Sequence, residues 1–182
     1  MKKYERWDIM NRENIMKILL WLAVISWMII IFNFSSSNGE KSDGQSRGFL
    51  SYTILDVASF AQNIGIRDHA PSENNLQSVI EKVNPFMRKI AHATVYFVLA
   101  FLLLLAFHTD QNNFWRSAII TVVLCFLYSL TDEFHQTLVP GRAGVFTDCL
   151  IDTSGAIIAC FLYRIAMLIY VKIGMKNTKN VL

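Results

Sequence analysis

The chain has 182 residues, of which 17 are basic, 14 acidic and 53% hydrophobic, with a net charge of +3 and a mean hydropathy of +0.36. That length leaves room for one domain at ~150 residues per domain, and the hydropathy is opposite to that of chains too polar and charged to fold. The charges fall between four apolar blocks instead of along helix faces, which excludes a soluble domain. Basic tail residues mixed with Glu5, Asp8 and Glu13 argue against a nucleic-acid surface.

The first block, residues 15–34, has no charge after Lys17 and approaches the ~20 residues that span a bilayer core. It is too long for a signal-peptide core and lacks a small-x-small cleavage site after it, so a retained span is expected. An outer segment, 35–88, follows. It opens with a Ser/Asn/Gly-rich turn from Ser35 to Gly44. Phe49, Leu50, Ile54, Val57, Phe60, Ala61 and Ile64 then recur at helical spacing, as in an amphipathic helix lying in the membrane surface. A short helix is predicted over 73–83, and Asn84-Pro85 is expected to break the chain.

Three more spans are predicted at 90–107, 114–131 and 148–171, giving an all-α, integral membrane, four-helix transmembrane bundle that makes residues 1–182 a single domain. Arg164 lies inside the last block, eight residues before Lys172, and its long stem can reach the interface. Counting Lys2, Lys3, Arg6, Arg12 and Lys17 before the first span and Lys172, Lys176 and Lys179 after the last puts both termini in the cytoplasm. The 108–113 connection is then inside and 132–147 outside, with Arg88 and Lys89 opposing the rule. Cys125, Cys149 and Cys160 form no CxxC pair and read as packing residues.

In an up-and-down bundle, the start of span two and the facing ends of spans three and four share one membrane surface. Span two begins with Lys89, His92 and Tyr96 on one face. Span three ends with Tyr128, Asp132 and Gln136 at intervals of four, with Glu133 and His135 adjacent. The turn Pro140-Gly141-Arg142-Ala143-Gly144 follows, and Asp148, Asp152, Gly155 and Ala159 form a stripe on span four. Small residues on that stripe let another helix approach closely, and acids there are costly unless paired or interfacial. Lys89, His92, Tyr96, Asp132, Glu133, Gln136, Arg142, Asp148 and Asp152 are therefore the expected ligand-binding set.

The run His92-x3-Tyr96, then Asp132-Glu133-x2-Gln136-x4-Gly141-Arg142-x5-Asp148-x3-Asp152-x2-Gly155, resembles the VanZ-like family of bacterial membrane proteins, across about residues 15–170. The Phe34-Ser35-Ser36 exit from span one fits as well. Val95 departs from the pattern, because many relatives resemble His-x-x-Glu-Tyr. The resemblance implies a small multi-span protein of the bacterial cell membrane, some relatives being linked to resistance to glycopeptides such as teicoplanin. It implies no established reaction.

Three readings follow. In the first, the cluster recognises an anionic envelope lipid, lipid-linked wall precursor or drug, with Arg142 as a bidentate fork. In the second, an interfacial hydrolase or transferase uses Asp132, Glu133, Asp148 or Asp152 as acid or base with His92. The third, an ion-coupled transporter, has little room in four spans whose acids stay at one surface. No cofactor is expected: a divalent ion on Asp132, Asp148 and a histidine would lack a strong ligand spacing such as HExxH.

Overall fold

The computed structural model describes residues 3–36, 39–65, 72–107 and 113–179, with the side chains of 12, 14–36, 43–65, 72–107 and 113–173. Orienting residues Lys2, Lys3, Arg6, Lys176 and Lys179, and the 108–112 connection, lie outside the described side chains. The described residues form five helices: α1 (Lys3–Ser35), α2 (Gly39–Asn63), α3 (Glu73–Ala106), α4 (Phe114–Gln136) and α5 (Phe146–Lys179). Four stretches are long and apolar enough to cross a bilayer: Asn14–Ser35, Glu73–Ala106, Phe114–Gln136 and Phe146–Ile173. The protein is an all-helical membrane protein.

The large exposed side chains agree with that reading. Ile18, Leu22, Ile29, Ile120, Leu127, Ile158 and Leu168 are all exposed, a surface that water would not tolerate and lipid matches. The interior is built where helices approach closely. Val24, Ile31, Tyr96, Leu99, Ala100, Cys125, Ala156 and Ala159 form the main core, and Leu104, Phe114, Ala118 and Cys160 a second cluster. The three cysteines are buried and free, consistent with packing roles.

α3 is the centre of the arrangement. It packs most extensively on α5, and also on α1, α2 and α4, while among the described residues α1 packs on α3 and α4. Gly155 explains the closeness of α3 and α5: a Cβ there would sit 2.8 Å from the Ala93 carbonyl carbon and closer still to its oxygen. Two side-chain hydrogen bonds tie α1 in. Trp27 Nε1 donates to the Val95 carbonyl at 2.9 Å, and the Tyr128 hydroxyl donates to the Met28 carbonyl at 2.7 Å.

Three expectations are corrected. The chain does not break at Asn84-Pro85; α3 runs unbroken from Glu73 to Ala106 with Pro85 inside it. Pro85 removes one helical hydrogen bond and disfavours helix at Asn84. Tertiary contacts offset this, since buried Asn84 donates to Asp43 at 2.6 Å and accepts from the Ser46 hydroxyl. Secondly, the Ser35–Gly44 stretch is not all turn, because α2 begins at Gly39 and carries Asp43 and Ser46 onto α3. Thirdly, α4 extends to Gln136, five residues past the expected boundary, which keeps Asp132 and Glu133 in helical register.

α3 is 34 residues long, about 51 Å at 1.5 Å per residue, well beyond the ~30 Å of a bilayer core. Its apolar part begins after Lys89. α2, whose start meets residues 84–88 and whose end is linked to Glu73, runs antiparallel to the preceding polar part. At the other end, Arg164 lies 5.0 Å over the Phe114 ring and donates to Met167 Sδ at 3.8 Å, so it packs against the start of α4.

Candidate functional site

Helical register decides which side chains of α4 face inward. Ser129, Asp132, Glu133 and Gln136, at i, i+3, i+4 and i+7, are all buried. Tyr128 was expected on that stripe but turns to α1. Glu133, expected only as a neighbour of the stripe, lies on it because the helix does not stop at 131. Ser129 was not anticipated, although its spacing from Asp132 and Gln136 places it on the same face.

On α5, Asp152 is fully buried one turn from the Gly155 contact. The Ser129 hydroxyl donates to its Oδ2 at 2.6 Å. Its Oδ1 has no hydrogen-bond partner and faces His92 Nδ1 at 3.6 Å, too far for a hydrogen bond. Because the Ser129 proton goes to Asp152 and not to His92, Ser129 is not arranged as an activated nucleophile.

Glu133 is held from two sides. Its Oε2 accepts the Val145 N–H at 2.7 Å, and its Oε1 accepts from Gln136 Nε2 at 3.2 Å. Gln136 also donates to Asp132 Oδ2 at 3.3 Å. The connecting turn makes this geometry: Gly141 takes φ 73°, a region side chains avoid, and the Arg142 N–H bonds back to the Val139 carbonyl at 3.1 Å. A Cβ on Gly144 would lie 2.6 Å from Thr137 Cγ2 and 3.2 Å from the Glu133 carbonyl carbon, so only glycine lets the turn settle on the end of α4.

One ligand-capable atom each from His92, Glu133 and Asp152 falls within 4.8 Å of the others. This trio differs from the expected metal set. Asp132 and Asp148 are not part of it: Asp132, whose Oδ2 accepts from Gln136 and whose buried Oδ1 has no hydrogen-bond partner, adjoins the trio, and Asp148, half-buried in the first turn of α5, lies along the wall of a cavity that His92 also lines. His135 is turned away and stacks on Phe32 with ring centroids 4.4 Å apart. Tyr96 is fully buried, its ring tilted against Tyr128 at 6.2 Å, one turn deeper than His92.

Two cavities meet here. The larger, about 440 Å³, opens between α1, α2 and α3, with Ile31, Phe34, Phe49 and Met87 among its apolar walls and Asp132 at its polar end. The smaller, about 280 Å³, is lined by Lys89, Gln136 and Asp148. Arg88, His92 and Arg142 belong to both.

Arg142 donates to the Phe34 carbonyl at 3.2 Å, joining the connecting turn to the end of α1. Its pKa is lowered, first by burial and then by the like charge of Arg88, while Asp132 and Glu133 act in the opposite direction. Arg88 lies 4.0 Å from Asp43, whose carboxyl is held below its ordinary value mainly by the hydrogen bond from Arg47 at 2.6 Å. The sequence did not signal this α2 contribution, because nothing in local spacing pairs Asp43 with residues 84–88.

Of the nine expected site residues, His92, Glu133 and Asp152 form the buried convergence. Asp132 and Gln136 adjoin it, and Lys89, Arg142 and Asp148 stand along the cavities. Tyr96 backs the site from the core. Compared with known proteins, residues 20–168 match the model of the VanZ/LLP1 family. No curated protein and no solved structure matches the chain.

Proposed function

The chain belongs to the VanZ/LLP1 family, and from that premise we propose that its paired cavities recognise an anionic amphiphile at the outer face of a bacterial membrane. The occupant is an envelope lipid, a lipid-linked wall precursor or a glycopeptide of teicoplanin type, and the termini lie in the cytoplasm. The carrying observation is the junction itself. An apolar cavity of about 440 Å³ joins a polar one of about 280 Å³ where Arg88 and Arg142 line both, with Lys89 beside them. Acyl or prenyl chain suits the first, and phosphate or carboxylate the second.

The reading carries a direct test. Expressed in a susceptible bacterium, the wild-type chain raises teicoplanin tolerance, and Arg142→Lys removes that protection at equal membrane abundance because lysine cannot present the two-pronged fork. Protection unchanged in Arg142→Lys would refute it.

A second reading is supported by the trio of half-buried His92 with buried Glu133 and Asp152. His92 borders both cavities and faces Asp152, so an acid or base stands beside a bound headgroup, as an interfacial hydrolase or transferase requires. Incubating the purified protein with lipid-linked diphosphates and chromatographing for products decides it. Absence of product with divalent metal supplied refutes turnover.

A further inference from the structure

Two carboxylates and an imidazole converge where α3, α4 and α5 meet. Bringing two acids together in a buried place is expensive unless a positive group lies between them. Several features show that the three side chains are aimed, not merely crowded. The Ser129 hydroxyl fixes Asp152 by Oδ2, leaving fully buried Oδ1 without a hydrogen-bond partner and turned toward His92 Nδ1. The Val145 N–H and Gln136 fix Glu133 by its two oxygens, each of which keeps a lone pair. Such outer hydrogen bonds are what orient ligands at metal centres.

The separations have the right scale. A tetrahedral ion with bonds of ~2.1 Å sets its donors ~3.4 Å apart, and opposite donors of a higher-coordinate ion ~4.2 Å apart. Asp152 Oδ1 and His92 Nδ1 are 3.6 Å apart, too long for a hydrogen bond and close to that spacing. The full trio lies within 4.8 Å, a little wider than that range.

We propose that His92 Nδ1, Glu133 and Asp152 Oδ1 bind one divalent cation of the zinc or manganese class. An imidazole nitrogen beside two carboxylate oxygens favours these ions over magnesium and calcium, which take oxygen donors. The cation neutralises both acids, and three protein donors leave a position open toward the cavities that His92 lines. This inference rests on the candidate site but not on what fills its cavities.

The test uses the full chain purified in detergent, stripped with chelator and titrated with Zn2+ alone against a chromophoric chelator, with bound metal counted by mass spectrometry. One zinc per chain is expected. Asp152→Asn and His92→Gln weaken binding about 100-fold or more, and Ser129→Ala, which removes the hydroxyl that fixes Asp152 Oδ2, about 10-fold. Asp132→Asn stays within about 3-fold, because Asp132 is outside the trio.

Failure of the stripped wild type to take up zinc overturns the proposal, since a protonated His92 would then be the cation between the acids. Equal losses in Asp132→Asn and Asp152→Asn overturn it too, as they describe a diffuse acidic patch. Should Asp152→Asn not fold, Ser129→Ala with a normal elution profile decides, and unweakened zinc binding there refutes the site. A wild-type chain that binds zinc but confers no teicoplanin protection counts against the amphiphile reading alone, and one that confers protection but takes up no zinc counts only against the cation.

Discussion

Replacing Gly155 by alanine tests the contact on which the site is built. An ideal Cβ at 155 would lie 2.8 Å from the Ala93 carbonyl carbon, whereas ordinary contact begins at 3.4 Å. Clearing that carbon needs 0.6 Å, and clearing the nearer oxygen needs 1.4 Å of added separation between α3 and α5. The two helices form the most extensive interface in the molecule, so overpacking here should cost about 1–3 kcal/mol. The same shift has a second effect. His92 adjoins Ala93 and Asp152 is one turn from Gly155, so their 3.6 Å separation widens by a comparable ~1 Å, past the span of a single bound ion. Thermal unfolding in detergent, followed by circular dichroism, should show a lower midpoint, and zinc titration a weakened site. Gly155→Ala unfolding at the wild-type temperature with undiminished zinc affinity would refute the reasoning.

Three further outcomes follow from contacts outside that interface. Trp27→Phe deletes the bond to the Val95 carbonyl and should destabilise the fold by about 0.5–1.5 kcal/mol, read from the same melts. Asn84→Ala removes the ties to Asp43 and Ser46 that hold α2 against the Pro85 segment, so amide exchange in α2 should accelerate while that of α5 stays slow. Acid should do the same. Asp43 is held below its ordinary value of 3.8, chiefly by Arg47, so its contribution to α2 docking is complete above that value and fades as pH falls through the lower one. The protection of α2 amides, corrected for intrinsic exchange, should be flat from about pH 7 to about pH 5 and fall below about pH 4, and Asp43→Asn should abolish the step.

Apolar runs with few or no charges made the four spans readable, since nothing else keeps Ile18–Phe34 or 117–131 free of charge. The shared end of the spans was readable as well, because alternating direction alone places residues 92, 132 and 152 on one surface. What escaped depended on partners distant in sequence. Pro85 stays helical because Asn84 is gripped by α2, a compensation absent from the local sequence. Glu133 points inward because α4 continues past 131, and the polar run there reads as a helix end until its burial is known. Ser129 follows the spacing of Asp132 and Gln136 but is chemically plain, so periodicity alone did not mark it as the group that orients Asp152.

The loose attachment of α1 bears on how an occupant would arrive. Among the described residues this helix meets α3 and α4 alone, and through Ile31 and Phe34 it supplies one side of the larger cavity. On the proposed reading, an outward tilt of α1 against the Trp27, Tyr128 and Arg142 tethers would part that wall toward the acyl chains. The proposed amphiphile's hydrocarbon tail would then enter sideways from the leaflet without crossing water, its headgroup following along the interface to Arg142.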